Sequence, residues 1–455
     1  MIRRIVIAAI CLLCSATLMA NETAGDWQGE LQIQPNVSLP LIMHLNQHDG
    51  EWQVTIDSPA QQTFGIPGEV VRITDTSVSV SFKAIGARYD AKLSNGRLEG
   101  TFSQAGSDFS LTLKRKSVNE QQSDRGAAVG PQQPQPPFDY QVEEVAYNHV
   151  TEGFTFAATL TLPPGEGPFP AAILVSGSGP QDRDETLMGH KPFWVLADHL
   201  TNAGIAVLRF DDRGTAQSGG TFSGTTIDDF STDVASAYTY LQSREDIDDS
   251  RIGLIGHSEG GITAPLFASK QTDVAFMVLL AGLGVDGKTL WAEQQRDIAK
   301  AYGSPNSQGI YEVMETVAAQ IINGASPVQI RKNLLEAGYD ERTASQYMNL
   351  LANDWGRSFL SYQPAPVLSK LSMPILAING DKDLQVSAHS NISAMKRIFA
   401  ASNNPDVTLR VLPGQNHLFQ QADSGLPDEY ARISQTIAPE TLDLISDWII
   451  TKVSE

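Results

Sequence analysis

The chain has 455 residues, of which 41% are hydrophobic and 18% are charged, and its formal net charge is −20. This length is enough for two domains with well-buried cores. The negative charge argues against nucleic acid and anionic membranes as partners.

The first twenty residues predict a secretory signal peptide. Arg3 and Arg4 precede an apolar run from Ile5 to Leu13, and small or apolar residues lead to Ala20. The run is too short to span a membrane. We therefore expect cleavage after Ala20, a periplasmic or secreted protein, and no stable membrane insertion after cleavage.

Both cysteines, Cys11 and Cys14, lie in this segment. The processed chain would therefore have no thiol, which excludes disulfides, thiol chemistry and cysteine-bound metal from its function. Loss of Arg3 and Arg4 would make the formal charge about −22.

Residues 21–116 consist of short alternating runs separated by clusters of Gly, Asn, Asp and Pro. About eight strands of this kind predict a small antiparallel all-β domain, either a barrel or a sandwich. His44 and His48 are candidate metal ligands by residue type. Their spacing in a strand and turn gives no common ligand geometry, so surface or packing roles are preferred.

Residues 117–138 change in composition and include the segment PQQPQPP at 131–137. Such a sequence cannot bury a core, and its prolines favour extended structure. We interpret it as a semi-rigid linker.

Strand and helix patterns alternate from residue 139 to residue 455, which predicts an α/β domain with a parallel sheet covered on both faces. Between about 283 and 369 the strand rhythm stops and helical periodicity replaces it. We expect this insertion to form a helical cap. Strand patterns resume at Ile375–Ile378 and Leu409–Leu412.

The segment GHSEG at 256–260 joins an apolar strand pattern to a helical pattern. This arrangement is typical of a nucleophile elbow, in which Ser258 occupies a strained corner with its hydroxyl exposed. Glycines two residues before and after the serine remove side chains that would collide there. Ser258 is therefore the candidate nucleophile.

A serine nucleophile needs a histidine base and a carboxylate that orients it. Only His389 and His417 follow the strand after the cap. His417 is favoured because it lies in a loop beyond a strand, whereas a capping or surface role suffices for His389. Asp383 is the favoured acid, with Asp381 as the alternative.

The oxyanion of the reaction needs hydrogen-bond donors. The backbone N–H groups of Glu259 and Ser178 are the candidates, the second from the glycine-rich loop at 175–180. That loop continues into proline rather than a helix, which argues against a dinucleotide. We expect neither a cofactor nor a metal.

Four motifs follow one another along the chain: SGSGPQDRD at 176–184, FDDRG at 210–214, GHSEGG at 256–261 and GxxDxxV at 380–386. With the segment WQG at 27–29, they resemble the secreted bacterial α/β-hydrolase esterases of the esterase-D type. The resemblance covers essentially the whole mature chain. It implies an α/β-hydrolase fold after an N-terminal β domain, cofactor-free hydrolysis of carboxylic esters, often with short acyl chains, and a structural role for Arg213.

We therefore expect a serine carboxylesterase that hydrolyses short-chain, neutral small-molecule esters through a Ser-His-Asp triad and an acyl-enzyme. The alternatives are a serine peptidase or aminopeptidase, an acyl thioesterase and a non-catalytic binding protein. Of the large apolar side chains in the cap, some are expected to pack on the sheet and others to wall the pocket above Ser258. These side chains are Trp291, Tyr302, Tyr311, Met314, Tyr347, Trp355 and Phe359.

Overall fold

The computed structural model describes residues 23–34, 37–48, 51–58, 63–74, 76–104, 107–115, 132–271 and 273–454. The predicted signal peptide and residues 117–131 of the predicted linker lie outside this description. The chain divides into two compact units, Met1–Ala128 and Val129–Glu455.

The first unit contains a closed antiparallel barrel of eight strands. Each strand pairs with the next, and β1 also pairs with β8, so the barrel rather than the sandwich is formed. The strands are β1 (Gly25–Gln34), β2 (Val37–His48), β3 (Glu51–Ser58), β4 (Thr63–Thr74), β5 (Ser77–Phe82), β6 (Ala87–Ser94), β7 (Arg97–Gln104) and β8 (Ser107–Arg115).

Alternate residues of these strands fill the barrel interior. Val78, Val80 and Phe82 of β5 are buried, whereas the serines between them are only partly buried. This period of two is what a strand with one face on a core requires. The interior also contains the fully buried rings of Trp27 and Tyr89.

His44 forms a cross-strand contact in the barrel. Its Nδ1 lies 2.8 Å from Asp26 Oδ1 and its Nε2 lies 2.9 Å from Asp57 Oδ2. The ring therefore connects β1, β2 and β3. The side chain of His48 lies outside the described residues, and no group of potential metal ligands occurs within them.

The second unit contains a mixed sheet of eight strands in the order β16-β15-β14-β13-β11-β12-β10-β9. Neighbours from β11 to β16 are parallel, whereas β10 is antiparallel to both β9 and β12. The strands are β9 (Gln141–Asn148), β10 (Thr155–Leu162), β11 (Phe169–Val175), β12 (Ala206–Phe210), β13 (Ile247–His257), β14 (Met277–Leu280), β15 (Ile375–Gly380) and β16 (Val407–Leu412).

The antiparallel edge corrects the prediction of a purely parallel sheet. Strand β9 was not predicted because most of its side chains are exposed or only partly buried, which leaves no apolar pattern. A short turn joins β9 to β10, and only antiparallel strands can be joined in this way.

The α-helices of the second unit lie between its strands in the chain or follow the last of them. They are α1 (Pro192–Asn202), α2 (Ile227–Gln242), α3 (Gly260–Ala268), α4 (Gly287–Ala301), α5 (Ser307–Ile322), α6 (Pro327–Glu336), α7 (Glu341–Leu351), α8 (Asp354–Ser361), α9 (Ala365–Leu368), α10 (Ala388–Ala400) and α11 (Pro439–Ser454). Two 3₁₀ helices span Lys83–Ile85 and Pro427–Arg432. Helices α4 to α9 occupy the interval in which the cap was predicted. No helix in the described ranges is both long and apolar enough to cross a bilayer.

The sheet is buried on both faces. In β11, Ala172 and Leu174 belong to one apolar cluster, whereas Ala171, Ile173 and Val175 belong to another. Successive side chains of a strand point to opposite faces, so each face has its own core.

The end of the predicted linker packs within the second unit. The Gln132 side-chain oxygen accepts hydrogen bonds from Thr436 N and Ile437 N at 2.6 and 3.1 Å. Its Nε2 donates to Ile437 O at 2.5 Å. The compact unit therefore begins earlier than residue 139, the predicted start of the α/β domain.

Candidate active site

Ser258 occupies the corner between β13 and α3. Its φ is +53°, a left-handed value that is unusual for a residue with a side chain, and its N–H donates to Leu280 O at 2.9 Å. A Cβ atom at Gly256 would lie 2.2 Å from Gly260 O, and one at Gly260 would lie 2.1 Å from Val175 O. Both positions therefore require glycine, and the strained corner is sterically enforced.

His417 and Asp383 form a buried hydrogen-bonded pair. His417 Nδ1 lies 2.8 Å from Asp383 Oδ2. The other carboxylate oxygen accepts hydrogen bonds from Gln385 N and Val386 N, both at 2.8 Å. An ionised carboxylate can only accept, so Nδ1 carries the proton and leaves Nε2 as the basic nitrogen.

The two alternatives lie elsewhere. His389 is exposed in the first turn of α10. Asp381 is exposed, and its Oδ1 accepts a hydrogen bond from Gly414 N at 2.7 Å. Neither residue takes part in the His417–Asp383 pair.

The parallel sheet brings the predicted residues to one edge. Ser258, Asp383 and His417 follow β13, β15 and β16, whose carboxyl ends point in the same direction. The ring of His257, next to the serine, has its centroid 4.8 Å from that of His417.

The glycine-rich loop after β11 contacts the nucleophile. A Cβ atom at Gly177 would lie 3.3 Å from Ser258 Cβ. The N–H of Gly177 donates to Glu185 Oε1 at 2.7 Å, which leaves the Ser178 amide as the next donor along the loop. The Glu259 N–H opens α3, and N–H groups in a first helical turn have no intrahelical acceptor.

Asp212 fixes the start of this loop. Its carboxyl oxygens accept hydrogen bonds from Ser176 Oγ at 2.7 Å and Gln181 N at 2.8 Å. Burial raises the pKa of Asp212 well above its usual value.

Arg213 lies in the same DDRG segment and donates to Asp233 through Nε at 2.8 Å and Nη2 at 2.5 Å. Burial raises the pKa of Asp233 to about 6. Arg213 thus connects the segment to helix α2, which agrees with the structural role that the resemblance implied.

Trp355, in helix α8 of the predicted cap, reaches the elbow. Its indole Nε1 donates to Glu259 Oε2 at 2.8 Å, and burial raises the pKa of Glu259 to about 7. The ring of Trp355 stacks on Phe359 at 5.2 Å. Among the other large side chains of the predicted cap, Met314 is fully buried in the core, whereas Tyr302 is 59% exposed.

Two polar residues beside the site had no predicted role. His257 Nδ1 lies 2.8 Å from Glu185 Oε1, and its Nε2 lies 3.1 Å from His417 O. His257 could have been singled out by its place before the serine. Glu185 gives no such signal, because its partner lies 72 positions away.

A mixed sheet with a serine at a strand-to-helix corner and a later acid and histidine defines the α/β-hydrolase class. The family model described as serine aminopeptidase S33, Hydrolase_4, matches residues 193–421. The chain belongs to this family.

The chain is also similar to individual proteins. The chain is 28% identical over 295 residues to Esterase EstD of Thermotoga maritima, and the match covers 64% of each chain. A ferulic acid complex of Est1E from Butyrivibrio proteoclasticus is 16% identical, with a TM-score of 0.43 and coverage of 68% of this chain and 100% of that one. A hypothetical protein from Pseudomonas aeruginosa is 18% identical, with a TM-score of 0.44 and coverage of 70% and 96%.

Proposed function

We propose that this protein is a serine carboxylesterase that hydrolyses short-chain, neutral carboxylic esters. The observation that carries the proposal is the buried hydrogen bond of 2.8 Å between His417 Nδ1 and Asp383 Oδ2, beside the elbow that presents Ser258. The esterase relative from Thermotoga maritima supports the same reaction class.

In the proposed mechanism, Ser258 Oγ attacks the ester carbonyl while His417 Nε2 accepts its proton. Asp383 holds the imidazole in the required tautomer and stabilises the imidazolium. The amides of Ser178 and Glu259 donate to the oxyanion of the tetrahedral intermediate. His417 then protonates the departing alcohol, which leaves an acyl group on Ser258.

A water molecule releases the acyl group in the second half of the reaction. His417 accepts a proton from this water, whose oxygen attacks the acyl carbonyl. Collapse of the second tetrahedral intermediate returns the proton to Ser258 and gives the free acid.

The preference for neutral substrates rests on the formal net charge of −20. This charge disfavours a polyanionic acyl-CoA, whereas a neutral ester meets no such repulsion. The small pocket beside Gly177 adds no charge argument, because burial raises the pKa of its carboxyl groups, Asp212, Asp233 and Glu259, and so favours their neutral forms.

A fluorophosphonate probe tests the nucleophile. The probe should label the wild-type protein and fail to label Ser258→Ala, with both proteins folded by circular dichroism. Equal labelling of the two proteins would exclude Ser258 as the nucleophile.

A substrate panel tests the reaction class. Acetyl and butyryl esters should give a higher kcat/KM than palmitoyl esters, acetyl-CoA or aminoacyl amides. The highest value on aminoacyl amides would instead support the aminopeptidase alternative, for which the family description provides a reason. The highest value on acetyl-CoA would support a thioesterase.

Export is part of the proposal. Residues 1–20 should be removed, so that the protein recovered from the periplasm or medium of its host begins near Asn21. Mass spectrometry of the intact protein measures this start, and an unprocessed cytoplasmic protein would contradict export.

A further inference from the structure

His257 is buried between two hydrogen-bond acceptors. Its Nδ1 faces a carboxylate oxygen of Glu185 at 2.8 Å, and its Nε2 faces the backbone carbonyl oxygen of His417 at 3.1 Å. A backbone carbonyl cannot donate, and neither can an ionised carboxylate. A neutral imidazole has one N–H and would leave one of these contacts without a proton, so both contacts are satisfied when both nitrogens are protonated.

Glu185 connects the same ring to the glycine-rich loop. Its Oε1 also accepts the N–H of Gly177 at 2.7 Å, and Gly177 lies against Ser258. Glu185 is itself buried and has a φ of +52°, in the left-handed region. The hydrogen-bonded chain Gly177–Glu185–His257–His417 therefore links the loop of the proposed oxyanion donor to the loop of the proposed base.

We propose that His257 is a protonated positioning residue, which Glu185 holds as an imidazolium and which fixes the backbone of His417 against the oxyanion loop. The proposal deepens the proposed esterase function and rests on it. His257 contacts no reacting atom in this scheme. It acts through the His417 carbonyl and through its charge.

The charged and titratable groups around the ring favour this state. Glu185 approaches from the segment before α1, while Asp383 and His417 approach from the loops after β15 and β16. Burial opposes the positive charge, yet the charge of Glu185 and the hydrogen bonds from Glu185 and the His417 carbonyl raise the pKa of His257 above its usual value.

The charge has a consequence for catalysis. A cation whose ring centre is 4.8 Å from that of the His417 ring disfavours a second positive charge at that ring. Removal of the charge should therefore move the acidic midpoint of the kcat/KM profile to higher pH. The expected displacement is about one pH unit or more, because the substitution removes a unit positive charge while Glu185 stays in place.

His257→Gln and His257→Phe separate the two effects. Glutamine is neutral but can still donate to the His417 carbonyl, so His257→Gln should show the displaced acidic midpoint with only a modest loss of kcat. Phenylalanine keeps a ring without a donor, so His257→Phe should also lose about ten- to a hundredfold in kcat, with KM changed less than about threefold.

His199→Gln is the matched control. His199 is a partly buried histidine of α1, and its Nε2 lies 3.0 Å from Ser446 Oγ. Its replacement removes an imidazole outside the chain of contacts described above, so the acidic midpoint should not move. An unchanged kcat and acidic midpoint in His257→Gln and His257→Phe would overturn the proposal, as would an equal displacement in His199→Gln.

The protonation state is measured directly by ¹⁵N NMR of histidine-labelled full-length protein, with His257 assigned from its missing signals in His257→Gln. Both ring nitrogens should be protonated at pH 7, and Glu185→Gln should make the ring titrate at lower pH. A neutral His257 at pH 7 would overturn the proposal whatever the kinetics of the variants. The measurement needs no turnover, so absence of esterase activity in the wild type would count against the proposed function alone.

Discussion

Glu259 has two separate chemical groups at the elbow. Its backbone N–H is a proposed oxyanion donor, whereas its carboxyl group is buried and accepts the Trp355 indole N–H. Burial penalises the ionised carboxylate, which is why its pKa is raised from an ordinary 4.5 to about 7. The side chain should therefore affect stability in a pH-dependent manner.

Glu259→Gln should stabilise the protein at pH 8 and have little effect at pH 4.5. The folded-state pKa lies above the unfolded value, so the favourable neutral form is fully present below about 4.5, and its benefit is lost as the pH rises through about 7. Glutamine cannot ionise but still accepts from Trp355, and the gain at pH 8 should be at most about 3 kcal/mol. Thermal unfolding at both pH values measures it.

The exposed residue Glu336 supplies the control for this experiment. Glu336→Gln should change the unfolding temperature by the same small amount at pH 4.5 and pH 8. If Glu259→Gln also changed the unfolding temperature by the same amount at both pH values, the proposed cost of burying the ionised carboxylate would be wrong.

His417→Ala should reduce kcat for an acetyl ester by about a thousandfold or more, because no other described residue pairs with Asp383 as a base. His389→Ala, at the exposed start of α10, is the matched control and should retain wild-type kcat. Steady-state kinetics on folded proteins measures both. Wild-type turnover by His417→Ala would refute the assignment of the base.

Local sequence predicted the residues whose roles depend on their own segment. Ser258 was predicted from the glycines around it, and Asp383 and His417 from their positions after strands. The contact between Glu185 and His257 could not be predicted in this way, because it depends on the parallel pairing of β11 with β13 and on the path of the loop after β11.

At the scale of elements, apolar periodicity predicted the strands that have a buried face. The alternating strands of the barrel and the apolar strands at the centre of the sheet carry such a pattern. Strand β9 does not, because it is an edge strand with mainly exposed side chains, so hydrogen bonding to β10 rather than burial stabilises it. Whether the first unit was a barrel or a sandwich depended on pairing between β1 and β8, which no local pattern encodes.

His44 should stabilise the barrel more at low pH than at high pH. Its hydrogen bond to Asp57, together with Asp26, raises its pKa above the usual 6.5. The stabilisation is therefore complete below about 6.5, the unfolded value, and is lost as the pH rises through the raised folded value. Hydrogen exchange in peptides from β1 to β3 should show that His44→Gln loses more protection at pH 5.5 than at pH 9.

His389→Gln provides the control, because this histidine is exposed and lies outside the barrel. Its effect on exchange in β1 to β3 should be negligible at both pH values. Equal loss of protection by His44→Gln at both pH values would mean that the contact does not depend on the charge of the ring.

At the scale of the whole molecule, composition predicts a linker at 117–138, and the last part of that segment packs within the second unit. Residues 132–138 have a linker-like sequence, yet Gln132 satisfies three backbone groups of the second unit. Proline- and glutamine-rich composition predicts that a segment cannot form a core of its own. It does not predict whether a neighbouring surface offers the segment hydrogen bonds.

A shortened chain beginning at Val129 should therefore be more stable than one beginning at Pro137. The shorter chain lacks Gln132 and leaves the amides of Thr436 and Ile437 without their acceptor, at an expected cost of about 1–3 kcal/mol. Thermal unfolding of the two chains measures the difference. Gln132→Ala in the Val129 chain should reproduce most of it, and equal unfolding temperatures for all three would contradict the role of Gln132.

The closure of the barrel also constrains the order in which it can fold. The barrel is closed by the pairing of β1 with β8, in which Trp27 lies opposite Arg115. We call this pairing the seam. All other pairs join strands that follow one another in the chain. The hairpins can form as soon as they are synthesised or translocated, but the seam requires β8 to be present. Until then the strand edges of β1 and β7 are unpaired and able to join another chain. The barrel is therefore most prone to aggregation just before its last strand emerges.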